Sequence, residues 1–307
     1  MNIAVLMTCH NRRETTLRCL GSLERAMQDS EKGKVKSEEV RWEIFLVDDG
    51  STDGTGEAVR NVGIREYEIG EMGECENAGM GKIGIKVVRG NGSLFWAKGM
   101  ELAWREALKR ETALRSTPTP TTTPTPTTTT TTSSTPTTTT FNYDSFLWLN
   151  DDADLRPDAL TTLLHFYTAN KDAVIVGELE NARGEIVYGK RGDLFTGNFV
   201  LVPRGVYEKV GMISGEFAHA WADSDYALRC KRAGVPVVSC GVVGTSEGHP
   251  NRPSLKGVGL RRRWKMLWDP KGWCVHDLWL YRRRNWGVCA AIVSTVHVVF
   301  HVFKGER

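Results

Sequence analysis

No two of the seven cysteines, Cys9, Cys19, Cys75, Cys230, Cys240, Cys274 and Cys289, form a close pair or a C-x-x-C. Their spacing argues against a zinc site and a disulfide framework, and points to a reducing compartment. Neither a G-x-G-x-x-G nor a Walker lysine pattern occurs, which removes the usual marks of a dinucleotide oxidoreductase or an ATPase. An excess of one charge is missing as well. Forty Lys and Arg against 37 Asp and Glu leave a net charge of +3, too small to imply nucleic acid, and no nucleic-acid partner is expected. Residues Met1 to Met7 have no charged n-region and no long apolar h-region, so they read as a first buried strand rather than a signal peptide. The catalytic part is therefore expected in the cytoplasm.

With 40% hydrophobic and 25% charged residues in 307, the chain can bury a sizeable core as one large or two small domains. Its organising stretch is Phe146 to Pro157. Phe146 to Leu149 is an unbroken apolar run, as in a strand buried on both faces, and it ends in Asn150, Asp151, Asp152 and Asp154. Carboxylates crowded at the carboxyl end of such a strand repel one another unless a cation or proton intervenes, and open α/β sheets bind ligands at that end. Capping and turn formation are the competing explanation for the same residues.

The remaining chain alternates in the same way. Ile3 to Met7 is strand-like and leads through a polar turn into a helix over Glu14 to Met27. Trp42 to Val47 is a second strand ending in Asp48, Asp49 and Gly50, where either a nucleoside contact or a capped turn fits. Residues 66 to 84 read as a surface excursion. Ile85 to Val88 is a third strand, followed by Gly90 and Gly92 and a helix over Glu101 to Leu114. Residues 116 to 140 are almost wholly Thr and Pro, and are expected to be a disordered insertion within one domain. Further strands are expected over Ala173 to Val176, Glu185 to Gly189 and Thr196 to Arg204, the last followed by a helix through Tyr207 and Val210. Asp223 and Asp225 then open another helix, where the dipole favours ionised carboxylates and either group is a candidate base.

These residues together resemble a nucleotide-sugar glycosyltransferase of family 2 with the GT-A fold, a Rossmann-like mixed sheet flanked by helices. The carrying motifs are T-C-H-N-R at 8 to 12, V-D-D-G-S-T-D-G-T at 47 to 55, G-N-G-S-L-F-W at 90 to 96, W-L-N-D-D-A-D-L at 148 to 155, G-N-F-V-L-V-P-R at 197 to 204 and H-A-W-A-D-S-D-Y-A-L-R at 219 to 229. The resemblance implies that Thr8, Asn11, Arg12, Asp48, Asp49 and Gly92 serve the nucleoside of a nucleoside-diphosphate sugar, with Asn150 and Asp151 beside them. It implies that Asp152 binds a divalent metal, Mn2+ or Mg2+, with Asp154 and His249 as further candidate ligands. Asp223 would be the general base of an inverting transfer to a glycan or lipid-linked acceptor, with Asp225 as second candidate. Three departures qualify the match: Asn150 replaces the first Asp of the family's D-x-D, as in a rhamnosyltransferase-like subset, Asp154 is an extra carboxylate, and the chain between Tyr188 and Thr196 is short. The altered D-x-D and the shortened stretch motivate an alternative reading as a catalytically silent sugar-nucleotide-binding scaffold.

A catalytic domain over 1–254 would then precede an extension over 255–307. In that extension Leu255 to Trp286 is basic and holds Trp264, Trp268, Trp273, Trp279 and Trp286. Residues 288 to 303 form an apolar run shorter than the ~20 residues of a spanning helix, so a shallow helix on the cytoplasmic membrane surface is expected, with a packed core helix as the alternative.

Overall fold

The computed structural model describes residues 1–32, 40–62, 65–66, 83–116, 141–248 and 255–305. His249, Cys75, most of the 66–84 excursion and the Thr/Pro insertion lie outside them.

The amino-terminal half is built from βα units. β1 (Asn2–Cys9) leads to α1 (Arg13–Lys32), β2 (Arg41–Asp48) to α2 (Thr55–Arg60), and the short β3 (Arg65–Glu66) precedes β4 (Ile83–Arg89) and α3 (Phe95–Ser116). β5 (Ser145–Leu149) is followed by β6 (Asp154–Leu155), α4 (Ala159–Ala169), β7 (Val174–Glu180) and the short β8 (Ile186–Tyr188), β9 (Lys190–Arg191) and β10 (Leu194–Phe195). β11 (Phe199–Pro203), α5 (Arg204–Val210), α6 (Ala222–Arg232) and β12 (Val237–Thr245) close the sheet region, and α7 (Leu260–Trp268), α8 (Val275–Trp286) and α9 (Val288–Lys304) follow.

The main sheet has the order β3-β4-β2-β1-β5-β11-β7-β12-β6, with β8 on β7. From β3 to β5 every pairing is parallel, so the loops after β1, β2, β4 and β5 leave one common edge. β11 runs antiparallel to β5, pairing Phe199 with Leu149. The start of β11 therefore lies beside the end of β5, and the Asn150 N–H donates to the Asn198 carbonyl at 2.9 Å.

Strand alternation divides the core into two layers. Leu147 and Leu149 face the layer with Leu20, Leu23 and Leu160 of α1 and α4. Phe146 and Trp148 face the layer with Trp104 of α3 and Tyr226 of α6. Trp148 is fully buried and meets the Trp104, Tyr226 and Phe195 rings at centroid distances of 5.9, 5.0 and 6.2 Å. Truncating such a residue to Ala costs roughly 3–5 kcal/mol. Leu280 and Tyr281 of α8 belong to the same layer, so the carboxyl-terminal extension contributes to the core that underlies the site.

The short β3, β6, β9 and β10 lie outside the sequence expectation, and further elements differ from it. α3 begins at Phe95, six residues before the expected start, because Phe95 takes a left-handed φ of 56° and its N–H and that of Leu94 are held by Asp49. The α2 N-cap is Gly54 (φ 81°), and Asp53 accepts the Thr55 N–H at 3.0 Å. β12 was not expected at all, since Gly241 (φ 83°) and small residues interrupt its apolar pattern.

Candidate active site

The loops after β1, β2 and β4 at the carboxyl edge of the parallel strands are tied to one another by side chains on backbone. Asn11 sits at φ 51°, a left-handed conformation that Asn tolerates better than most residues. Its N–H donates to Ser51 Oγ at 2.9 Å, and its Oδ1 accepts the Thr52 N–H at 2.8 Å. Asp49 is buried and accepts the N–H groups of Gly92, Leu94 and Phe95 at 2.8, 2.9 and 3.0 Å. Asp48, also buried, accepts the Ser51 N–H at 3.0 Å. Thus Asn11, Asp48 and Asp49 hold the shape of this edge with the atoms expected to face a nucleoside. Gly50 (φ 68°) is required here twice over, since a Cβ would also lie 2.8 Å from the Gly92 nitrogen. Thr8, at the end of β1, packs against α3 at Gly99.

Beside this edge stands the acidic turn. Arg12 places Nη1 2.9 Å from Asp151 Oδ1 and Nη2 3.6 Å from Asp152 Oδ2. Thr16 donates to Asp151 Oδ2 at 3.3 Å. Burial raises the Asp151 carboxyl to about 6, with Arg12 pulling it down and Asp152 pushing it up. Two buried carboxylates thus share one guanidinium. Asp154 does not join them: it is part of β6, its side chain is 41% exposed, and it faces Arg25 at 3.8 Å.

The structure also joins this turn to the candidate base. Trp96 Nε1 donates to Asn150 Oδ1 at 2.7 Å. The Trp96 ring lies so close to Gly197 that a Cβ there would overlap it, and the Gly197 N–H donates to Asp223 Oδ2 at 3.1 Å. The Ser224 N–H donates to Asp223 Oδ1 at 2.7 Å. Burial pushes the Asp223 carboxyl above the usual carboxylate range, against the pull of the Ser224 and Gly197 N–H groups. Asp225 is directed elsewhere. It is 1% exposed and meets Arg229 at 3.2 Å, Arg284 at 3.8 Å and Asn285 Nδ2 at 3.2 Å, an arrangement that fastens α6 to α8.

Two groups were not singled out as site residues in the sequence. Trp96 lay inside a quoted motif, and its position directly after a Gly-rich turn was the available signal. Asp277 of α8 had none. It is fully buried and accepts the N–H groups of Ala218, His219 and Ala220 at 3.1, 2.9 and 3.0 Å. Burial acts to raise its carboxyl, but the His219 and Ala218 N–H groups outweigh that and hold it below the ordinary range. The loop so fixed ends in Trp221, a bulky residue at φ 69° and ψ −6°, a conformation costing of order 1–3 kcal/mol. Its ring stacks on Tyr281 at 4.8 Å and 19°, and Asp223 follows two residues later.

Residues 4–71 match the family model for glycosyl transferase family 2. No curated protein matches the chain. Among solved structures, the mannosyltransferase PcManGT from Pyrobaculum calidifontis, in complex with GDP-Man and Mn2+, is similar over 97% of this chain and 74% of its own, with 15% identity and a TM-score of 0.51. S. aureus TarS in complex with UDP-GlcNAc is similar over 100% of this chain and 74% of its own, with 11% identity and a TM-score of 0.50. The mixed sheet, in which β1, β2, β4 and β5 run parallel, has the GT-A fold of these structures. The family match over its first strands and this shared fold make the chain similar to glycosyltransferases of family 2.

Proposed function

We propose that the chain transfers a sugar from a nucleoside-diphosphate sugar to an acceptor hydroxyl with inversion at the anomeric carbon. The observation that carries this reading is the join between Asn150 and Asp223 through Trp96 and Gly197, which sets a half-buried carboxylate beside the turn expected to hold the diphosphate. Arg12 supplies positive charge at that turn. Asp223 removes the acceptor proton as the acceptor oxygen bonds to the anomeric carbon; the bond from that carbon to the diphosphate oxygen breaks, and its electron pair leaves with the nucleoside diphosphate. A carboxylate pKa raised towards the working pH suits a general base. The short links of Asp223 to the Gly197 and Ser224 N–H groups fix its direction.

The acidic turn fits a divalent cation. Asp151 and Asp152 are buried with one guanidinium between them, and hard cations favour carboxylate oxygens. Among the described residues no three His, Cys, Asp or Glu side chains converge. An ion held by one or two carboxylates, phosphate oxygens and water needs no such cluster. Asp152 would be its main protein ligand, with Asp151 beside it, and the bound ion would supply charge neutralisation for the leaving diphosphate.

The exposed side chains of the carboxyl-terminal helices support a reading in which this activity works at an anionic membrane surface. No described helix is long and apolar enough to cross a membrane. Yet Leu260, Trp264 and Trp268 of α7 are 61, 50 and 56% exposed, and Val293, Val296 and Phe300 of α9 are 69, 61 and 59% exposed. The two rows meet where the Trp264 and Phe303 rings lie 6.0 Å apart. Arg261, Arg262 and Lys265 are exposed on α7 beside them, and each cation near an anionic surface is worth about 1 kcal/mol. Ala291 and Val302 of α9 are buried, so the helix both packs on the protein and presents an apolar face outward.

Release of nucleoside diphosphate tests the assignment. With Mn2+ or Mg2+, the chain should slowly hydrolyse one member of a panel including GDP-Man and UDP-GlcNAc without acceptor, and Asp223→Asn should abolish this. Donor binding without release by the wild type would identify the silent scaffold instead.

A further inference from the structure

Between α8 and α9 lies a groove of about 320 Å3 that the donor-site residues do not form. Leu278 and Arg282 of α8, Val293, Ser294, His297 and Val298 of α9, and Trp221 line it. Its volume falls at the lower end of the roughly 300–1,000 Å3 of small-molecule sites. The walls are mainly apolar, and one cation is set into them. Arg282 Nε is buried and has no hydrogen-bond partner among the described residues, although the guanidinium carbon rests 5.0 Å from the Trp286 ring centroid. A buried donor of this kind is costly unless a ligand completes it.

The groove's position relates it to the chemistry. Trp221 forms one wall, is held in its left-handed conformation against Tyr281, and is the N-cap of the helix whose first turn carries Asp223. Val293, 69% exposed, belongs both to the groove and to the outward apolar face of α9. An apolar path therefore runs from the outer face, between α8 and α9, to the residue that introduces the base.

We infer that this groove is an acceptor subsite for an anionic amphiphile, with the alkyl portion between α8 and α9 and a phosphate-like group on Arg282. The inference rests on the glycosyltransferase reading for the word acceptor, but the groove's chemistry can be tested separately. Guanidinium donors match phosphate oxygens, and a charge-assisted bond there would complete Nε. The same chemistry could be offered by a bulk membrane lipid, which would occupy the groove without affecting donor turnover.

The test uses the full chain and n-decyl phosphate below its micelle concentration, followed by calorimetry, with octyl glucoside and inorganic phosphate as controls. Decyl phosphate should bind at one site, and both Arg282→Gln and Ser294→Trp should weaken it by about tenfold or more. Octyl glucoside should bind more weakly, and inorganic phosphate should not compete at equal concentration. Arg282→Gln is a small change at a partly exposed residue, so it guards against a folding defect in Ser294→Trp. Absence of binding, or affinity unchanged in both variants, overturns the subsite; equal binding of octyl glucoside overturns its anionic class. In wild-type protein that hydrolyses a donor, saturating decyl phosphate should suppress the hydrolysis by excluding water next to Asp223, and unchanged hydrolysis would reassign the groove to bulk lipid. If no donor is hydrolysed the transferase reading fails, while the binding results still decide the groove.

Discussion

Asp277 of α8 accepts the backbone N–H of His219 at 2.9 Å, and through this contact and those to Ala218 and Ala220 the carboxyl-terminal extension fixes the loop leading to Asp223. Asp277→Ala would leave those N–H groups buried and unpaired, at roughly 1–3 kcal/mol for such a loss. Urea unfolding should show that loss at pH 7. Since the folded-state pKa of Asp277 is lowered, its stabilisation is present above the unfolded carboxylate value and is lost as pH falls through the folded one; the gap between wild type and Asp277→Ala should therefore narrow in strong acid. Asp277→Asn, which keeps an acceptor oxygen, should recover part of the stability and lower kcat more than it raises the donor KM. An unchanged kcat would make Asp277 a structural residue only.

The two acidic residues of α6 should separate cleanly. Asp223→Asn should lower turnover by ~10²–10⁴-fold with donor affinity nearly intact. Asp225→Asn should instead lower stability, because Arg229, Arg284 and Asn285 lose their partner. The rate should fall as pH drops through a pKa above the ordinary carboxylate range, in keeping with the raised Asp223 group. That acid limb should be missing from the residual rate of Asp223→Asn. A catalytic collapse in Asp225→Asn alone would exchange the roles.

Asp152→Ala should abolish transfer and make donor binding indifferent to Mn2+ and Mg2+. Isothermal titration with and without EDTA reads this directly. Wild-type binding that is equally strong in EDTA would remove the metal from the reaction.

Arg115 Nε donates to the Phe141 carbonyl at 3.3 Å, so the chain leaves and re-enters the described fold at neighbouring points around the Thr/Pro insertion. Replacing residues 117–139 with a short Gly/Ser bridge should leave Tm and activity almost unchanged, because closure entropy varies slowly with loop length. A large loss of folded protein would show that the segment supports the fold.

For the outward face of α7 and α9, flotation with vesicles containing anionic lipid is the appropriate measurement. Wild type should float, while Trp264→Ser combined with Phe300→Ser should stay with the soluble fraction without loss of Tm. Deleting the whole extension would be uninformative, since Leu280 and Tyr281 are part of the core. Flotation equal for variant and wild type, or absent for both, would refute this face as the anchor.

The sequence alone determined the βα order, the acidic turn and the resemblance to family 2, because these are local signals. An apolar run such as Phe146 to Leu149 ending in carboxylates declares a buried strand and its ligand edge without help from distant residues. It also supplied both candidate bases, but Asp223 and Asp225 share one helical turn, and nothing local told which faced the cleft. Tertiary structure gives them different partners, Gly197 for Asp223 and Arg229, Arg284 and Asn285 for Asp225. It likewise showed Asp49 to be the anchor of the 92–95 backbone, which a sequence cannot show because the N–H groups it binds lie more than 40 positions away. Asp277 is the extreme case. Its partners are backbone atoms, which leave no residue pattern to read, so only the folded chain could reveal that α8 holds the loop leading to Asp223.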